Sequence, residues 1–216
     1  SGGIPMADNY LERKMEEYRA GKLSVRPKTA ASRSLPKGKI AVDFPPRTVI
    51  LAAATVGPLC RAVVKVFIDA GCSVALVSVS HKEATELARS CGARFYPVAG
   101  FSSASLDSVV EDVTSHWNIP DTFISVSDGE GADVNSALPA MDYSRFEQTP
   151  GALRIINIMA GEGCDALGMS FDGLPGCSNA LLVPDAGDGH ASETAALCLY
   201  LCQPCGRFFS GLTVSV

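Results

Sequence analysis

The stretch Val49-Ile-Leu-Ala-Ala-Ala-Thr-Val-Gly-Pro-Leu-Cys-Arg-Ala-Val-Val-Lys-Val-Phe-Ile-Asp-Ala-Gly-Cys-Ser-Val-Ala-Leu-Val-Ser78 decides the fold. Thr48 to Ala54 has no alternation of apolar with polar residues, which is the pattern of a strand buried on both faces. Pro58 suits the first helical position, where its missing N–H costs nothing. Leu59, Ala62, Val63, Val66, Phe67 and Ala70 then recur at helical spacing up to Gly71. Ser73 to Val79 is a second buried strand. The unit is therefore strand, turn, helix and strand, and the turn holds one glycine, Gly57.

The same alternation continues downstream. Ser80-His-Lys-Glu83 has the form of a capping box and opens a helix whose inner face is Ala84, Leu87, Ala88 and Cys91, closed by Gly92. Arg94 to Val98 is a third strand, and Leu106, Val109, Val110, Val113 and Trp117 form the inner stripe of a third helix. Further strands are expected at Asp121 to Ser127, Leu153 to Met159, Asn179 to Pro184 and Leu212 to Val216, with a helix from about Ser192 to Cys202. Strands alternating with helices at this pace imply an α/β fold, a doubly wound, mostly parallel, Rossmann-like sheet with helices on both faces. Ligands in such folds bind beyond the carboxyl ends of the strands, where the strand order reverses.

The organisation expected is an N-terminal helix and basic linker over residues 1–46, followed by a single Rossmann-like domain over 47–216. Ala7 to Gly21 reads as a helix with a narrow stripe of Tyr10, Leu11, Met15 and Tyr18, and the proline-rich residues 22–46 read as an extended linker. Residues 1–47 carry ten Lys/Arg against five Asp/Glu, whereas 48–216 carry eight against eighteen. A basic arm therefore precedes an acidic body. The arm lacks interleaved aromatic residues and the body would repel phosphates, so no nucleic-acid partner is expected, and the arm is expected to lie on an acidic body.

With 216 residues, 47% of them apolar, the chain can bury a sizeable core. No apolar run approaches the roughly 20 residues that span a bilayer, and no leader-like segment opens the chain, so no membrane partner and a cytoplasmic location are expected. The eight cysteines mostly sit inside apolar patterns, as reduced, buried thiols do. Cys202-Gln-Pro-Cys205 has metal or redox spacing, but no second pair or flanking histidine completes a zinc site. Cys198 and Cys202 are expected to face the core, with Pro204 ending the helix, and no metal is expected.

On these residues the chain resembles the short-chain dehydrogenase/reductase family. Arg61 to Val74 is similar to its first helix and second strand, Pro120-Asp-Thr-Phe-Ile124 to the approach to its fourth strand, and Leu153-Arg-Ile-Ile-Asn-Ile158 to its fifth. Ser192 to Val216, with Phe208-Phe-Ser-Gly-Leu-Thr-Val-Ser-Val216, is similar to its last helix and strand. The resemblance implies an NAD(P)-dependent oxidoreductase, but the family's functional motifs depart here. Its Thr-Gly-x-x-x-Gly-x-Gly turn falls on Ala53 to Cys60, so that Ala54, Pro58 and Cys60 stand at the glycine positions. The ribose-selecting acid or arginine falls on Ser78 or Val79, and the Asn-Asn-Ala-Gly segment near Ser125-Val-Ser-Asp-Gly129. The catalytic serine falls on Met159 or Ala160, and no tyrosine or lysine lies between Met159 and Ser192 to form the Tyr-x-x-x-Lys pair.

Three functions compete on this reading. The first is a degenerate, shortened family member acting as a non-catalytic scaffold or assembly subunit, with no cofactor and no catalytic residue, and forming a homodimer or pairing with an intact family member through the last helix and strand. The second is a divergent NAD- or NADP-dependent oxidoreductase with a rebuilt site, or an enzyme using the acidic loops Asp128 to Asp133 and Asp185 to His190 with a cation. The third is a small-ligand module in the same crevice. If a nucleotide binds, Thr55, Gly57, Ser78 and Ser125 are its expected handles, and Ser80 joins them for another small ligand.

Overall fold

In the computed structural model, the residues described are 15, 44–127, 134–138, 140–146, 153–161, 174, 176–184 and 188–216. The chain runs β1 (Thr48–Ala53), α1 (Pro58–Asp69), β2 (Ser73–Ser78), α2 (His81–Cys91), β3 (Arg94–Pro97), α3 (Ser103–His116), β4 (Thr122–Ser127) and α4 (Val134–Ala137). It continues through a 3-10 turn at Ser144–Phe146, β5 (Arg154–Ala160), β6 (Cys177–Val183), α5 (Asp188–Leu201), a second 3-10 helix at Pro204–Phe208, and β7 (Leu212–Ser215). The seven strands form one sheet of order β3-β2-β1-β4-β5-β6-β7. Every neighbouring pair is parallel. The order reverses between β1 and β4, as the doubly wound reading requires.

Both faces of β1 are covered, which is why its sequence does not alternate. Val49, Leu51 and Ala53 join a core with α1, α2 and α5, while Ile50 and Ala52 join a second core with α3 and α4. The second core includes a T-shaped pair of Phe123 and Phe146 with centroids 5.2 Å apart, and Tyr143 packs against both rings. Helix α1 buries Leu59, Val63 and Phe67 as its periodicity predicts, and also Cys60 and Val64. The stripe of α3 at Leu106, Val109, Val110 and Val113 is buried. Cys198 and Cys202 are both fully buried, so this pair faces the core as expected.

Two local expectations need correction. Ser80 is the N-cap of α2 but makes no side-chain cap bond. Its hydroxyl donates to the Ala54 carbonyl at 3.1 Å, just past the end of β1, which runs beside β2. The capping box lies one helix later, where Ser102 and Ser105 exchange side-chain and backbone bonds at the start of α3. Helix α5 begins at Asp188, four residues before the expected start, and ends at Leu201. The expected helix at Ala7 to Gly21, apart from Met15, most of the linker, and the acidic loops at Asp128 to Asp133 and 185–187 lie outside the described residues.

The amino ends of the strands carry a buried polar cluster. Arg47 pairs with Asp121 at 3.1 Å. Arg154, 1% exposed, donates to the carbonyls of Leu153 and Gln203. Burial lowers the Arg154 guanidinium from its ordinary value, and the Cys177 and Asp121 fields act against that shift. The arginine thereby ties β5 to the chain leaving α5.

Candidate functional site

The crevice expected for a ligand lies at the carboxyl ends of β1, β2 and β4, where Ala53 is flanked in register by Ser78 and Val126. The β1–α1 turn is filled from within. Val56 is 8% exposed, Cys60 is 1% exposed, and both belong to the core. Gly57 is the N-cap of α1 with φ −75° and ψ −175°, extended backbone that any residue adopts, so the turn makes no use of glycine's special conformations. Arg61, one turn into α1, folds back so that its Nε donates to the Val56 carbonyl at 3.2 Å.

The four expected handles are not brought together in one accessible group. Thr55 and Gly57 are half-buried in the turn. Ser78 is fully buried at the end of β2, and its Oγ accepts from the Ser80 N–H at 3.1 Å. Ser125 is fully buried within β4 and donates its hydroxyl hydrogen to Asn157 Oδ1 at 2.6 Å. Asn157 sits in the middle of β5, and a buried amide there demands such a partner. Ser80 closes the group by bonding across to Ala54. Among the described residues, no group of three or more His, Cys, Asp or Glu is placed to hold a metal ion.

A second feature lies at the opposite end of the sheet. After α5 the chain turns through Pro204–Phe208 and returns as β7, the last strand of the sheet, with no further strand beside it among the described residues. Phe208 is 74% exposed, Tyr200 42%, Leu212 39% and Phe209 37%. The Tyr200 and Phe209 rings lie 6.3 Å apart, and the Arg207 guanidinium sits 4.8 Å above the Phe208 ring.

This segment is held by polar groups that sequence reasoning missed. Asn179, 1% exposed in β6, donates through Nδ2 to the Phe209 carbonyl at 3.1 Å. It accepts the Leu212 N–H through Oδ1 at 3.1 Å. The Gly211 N–H adds a bond to the Ser178 carbonyl at 2.7 Å, with Gly211 at φ +73°. Cys177 Sγ donates to the Arg207 carbonyl at 3.2 Å. The available signal was an asparagine inside each of two apolar strands, Asn157 and Asn179.

A groove of about 620 Å³ runs between the edge strand β3 and α3. There the Asp112 carboxylate accepts from Tyr96 at 2.7 Å and from Arg94 at 3.1 Å. Its charges are already satisfied internally. Pro97, on the strand itself, lacks the N–H that an added strand would use.

No protein-family model matches the chain, and no curated protein matches it. Solved structures do. A short-chain dehydrogenase/reductase of the glucose/ribitol dehydrogenase type from Brucella melitensis superposes with a TM-score of 0.58 at 15% identity, over 82% of this chain and 97% of that one. BdcA from E. coli is similar with a TM-score of 0.58 at 16% identity, over 82% of this chain and 100% of that one. BdcA in complex with NADPH superposes with a TM-score of 0.59 at 17% identity, over 81% and 94%. At these identities the likeness is one of fold: the chain has the Rossmann-like architecture of short-chain dehydrogenase/reductase structures.

Proposed function

We propose that this chain is a degenerate, shortened short-chain dehydrogenase/reductase-like protein that works as a non-catalytic assembly subunit, associating through α5, the Pro204–Phe208 turn and β7. The observation that carries this reading is the exposure of Tyr200, Phe208, Phe209 and Leu212 along the segment from the end of α5 to the start of β7, with the Tyr200 and Phe209 rings 6.3 Å apart and no further strand beside β7 among the described residues. Exposed aromatics of this kind cost solubility unless a partner covers them. The partner is a second copy in a two-fold, self-complementary contact, or an intact family member presenting the same edge.

The other half of the reading is the crevice. A dinucleotide needs close backbone approach at the β1–α1 turn, given in this fold by glycines. Here Ala54, Pro58 and Cys60 take those positions, and Cys60 and Val56 are packed into the core. Ser78, where a ribose-binding acid would stand, is fully buried and accepts the Ser80 N–H. The residues present do not fit NAD or NADP, and no tyrosine or lysine between Met159 and Ser192 supplies the proton donor of the family's chemistry.

A divergent NAD(P)-dependent oxidoreductase is the second reading. It draws on Arg61, whose guanidinium lies by the amino end of α1, where a phosphate would meet both the arginine and the helix dipole. The cytoplasm is the proposed location. The described cysteines are all free thiols, as a reducing compartment keeps them, and no helix among the described residues is long and apolar enough to cross a membrane.

Multi-angle light scattering tests the assembly reading. The 22.6 kDa chain is expected to run at twice that mass, and Phe208→Asp to return it to the monomer. A wild-type chain that stays monomeric at about 100 μM, with no interaction with an intact family member, sinks the reading.

A further inference from the structure

We infer that Asn179 is the positioning residue of the association surface, a buried side-chain clamp that fixes the segment from Phe209 to Leu212 before any partner arrives. This rests on the assembly reading above and names the residue through which the surface is ordered.

The need for a clamp follows from the position of β7. It is a four-residue strand at the edge of the sheet, bonded among the described residues to β6 alone, and three of its four residues are exposed. Short edge strands with few apolar contacts sit at the low end of local stability. A surface built on such a strand would have to be ordered at the moment of binding, at a cost that subtracts from affinity.

Asn179 supplies the missing order through both ends of one amide. Its Nδ2 holds the carbonyl of Phe209, its Oδ1 holds the N–H of Leu212, each at 3.1 Å, and the two apolar residues thus fixed are both exposed. In the β6–β7 register Asn179 stands opposite Leu212, so one side chain reaches both ends of the turn. The neighbouring β6 backbone reinforces the same turn, with Gly211 donating to the Ser178 carbonyl and the Ser178 N–H meeting Ser210 Oγ at 3.3 Å. At 1% exposure, Asn179 itself lies too deep to touch a partner, so its effect on association passes through Phe209 and Leu212.

Two readouts test the inference: the dissociation constant of the assembly by sedimentation equilibrium, and amide hydrogen exchange at Leu212 in samples diluted to the monomer. Asn179→Ala is expected to weaken association at least tenfold and to raise Leu212 exchange at least tenfold, with the exchange of β1 and β4 unchanged. Phe208→Asp is expected to abolish association while Leu212 stays protected. Asn179→Asp keeps the acceptor for Leu212 but sets an acceptor against the Phe209 carbonyl, so it is expected to retain Leu212 protection and lose association. If Asn179→Ala does not fold, Asn179→Asp decides. Wild-type association and a protected Leu212 in Asn179→Ala would overturn the clamp. If the wild-type chain associates with nothing, the assembly reading fails, and Leu212 exchange alone decides whether Asn179 orders the segment.

Discussion

Arg47 and Asp121 meet at 3.1 Å across the amino ends of β1 and β4, the arginine side chain 6% exposed and the aspartate 33%. The Arg154 guanidinium also feels the Asp121 charge. Burial raises the Asp121 carboxyl above its usual value, against the opposing pull of the Arg47 charge and the Thr122 hydrogen bond. A raised carboxyl favours the protonated form in the fold, so its contribution is present below the ordinary carboxylate pKa and falls as pH rises through the raised one.

Asp121→Asn, which mimics the protonated acid, is therefore expected to cost less than Asp121→Ala. Asp121→Ala removes both oxygens that Arg47 and the Thr122 hydroxyl bond, a loss of about 2 to 3 kcal/mol after allowing for the one-third exposure of Asp121, whereas asparagine keeps one side-chain oxygen as an acceptor. Urea unfolding at pH 7 measures both, and equal losses in the two variants would contradict the assignment.

The groove beside β3 makes a prediction in alkali. Tyr96 is pushed from an ordinary value of 10.0 up to about 12, by burial first and then by its hydrogen bond to Asp112. The neutral phenol is favoured in the fold. Its stabilisation is present below pH 10.0 and lost as pH rises through about 12. An absorbance titration of tyrosinate is expected to show a late step near that pH, which Tyr96→Phe removes.

Glycines near the association segment separate close approach from conformation. A Cβ on Gly206 would run into the Leu201 carbonyl oxygen, so Gly206→Ala must push the 3-10 turn off the end of α5. Overpacking of this kind costs about 1 to 3 kcal/mol, and the upper end is expected here because backbone is the obstacle. Gly92, with φ +82° and nothing within 4 Å, meets only the left-handed penalty of about 1 to 2 kcal/mol on replacement by alanine. Thermal unfolding of the two variants is expected to rank Gly206→Ala lower. Only Gly206→Ala is expected to weaken association as well.

Much of the scaffold was legible because burial on both faces leaves a plain signature. Val49 to Ala53 and Val74 to Val77 read as buried strands directly, and the spacing of Leu106, Val109, Val110 and Val113 named the inner side of α3. What escaped was polar and tertiary. Ser80 matched a capping pattern, yet its hydroxyl went to Ala54 in a strand twenty-six residues away, a choice that local sequence does not encode. The start of α5 was hidden because Gly189 and His190 resemble an acidic turn. Asn179 and Arg154 sit inside strands that read as apolar, and their partners lie thirty and forty-nine residues on, past the end of α5. The candidate handles Thr55, Gly57, Ser78 and Ser125 were placed near the carboxyl ends of the right strands, but sequence could not tell that Ser78 and Ser125 are sealed beneath the surface.

The most direct test of a non-catalytic scaffold is a calorimetric titration of the chain with NAD, NADP and their reduced forms at low salt, with an intact family member as the positive control. The filled β1–α1 turn, with Val56 and Cys60 in the core, predicts no saturable heat with any of the four. Saturable binding tighter than about 100 μM, which corresponds to about −5.5 kcal/mol, would contradict it and make the chain a nucleotide-binding protein whose chemistry has to be sought around Arg61.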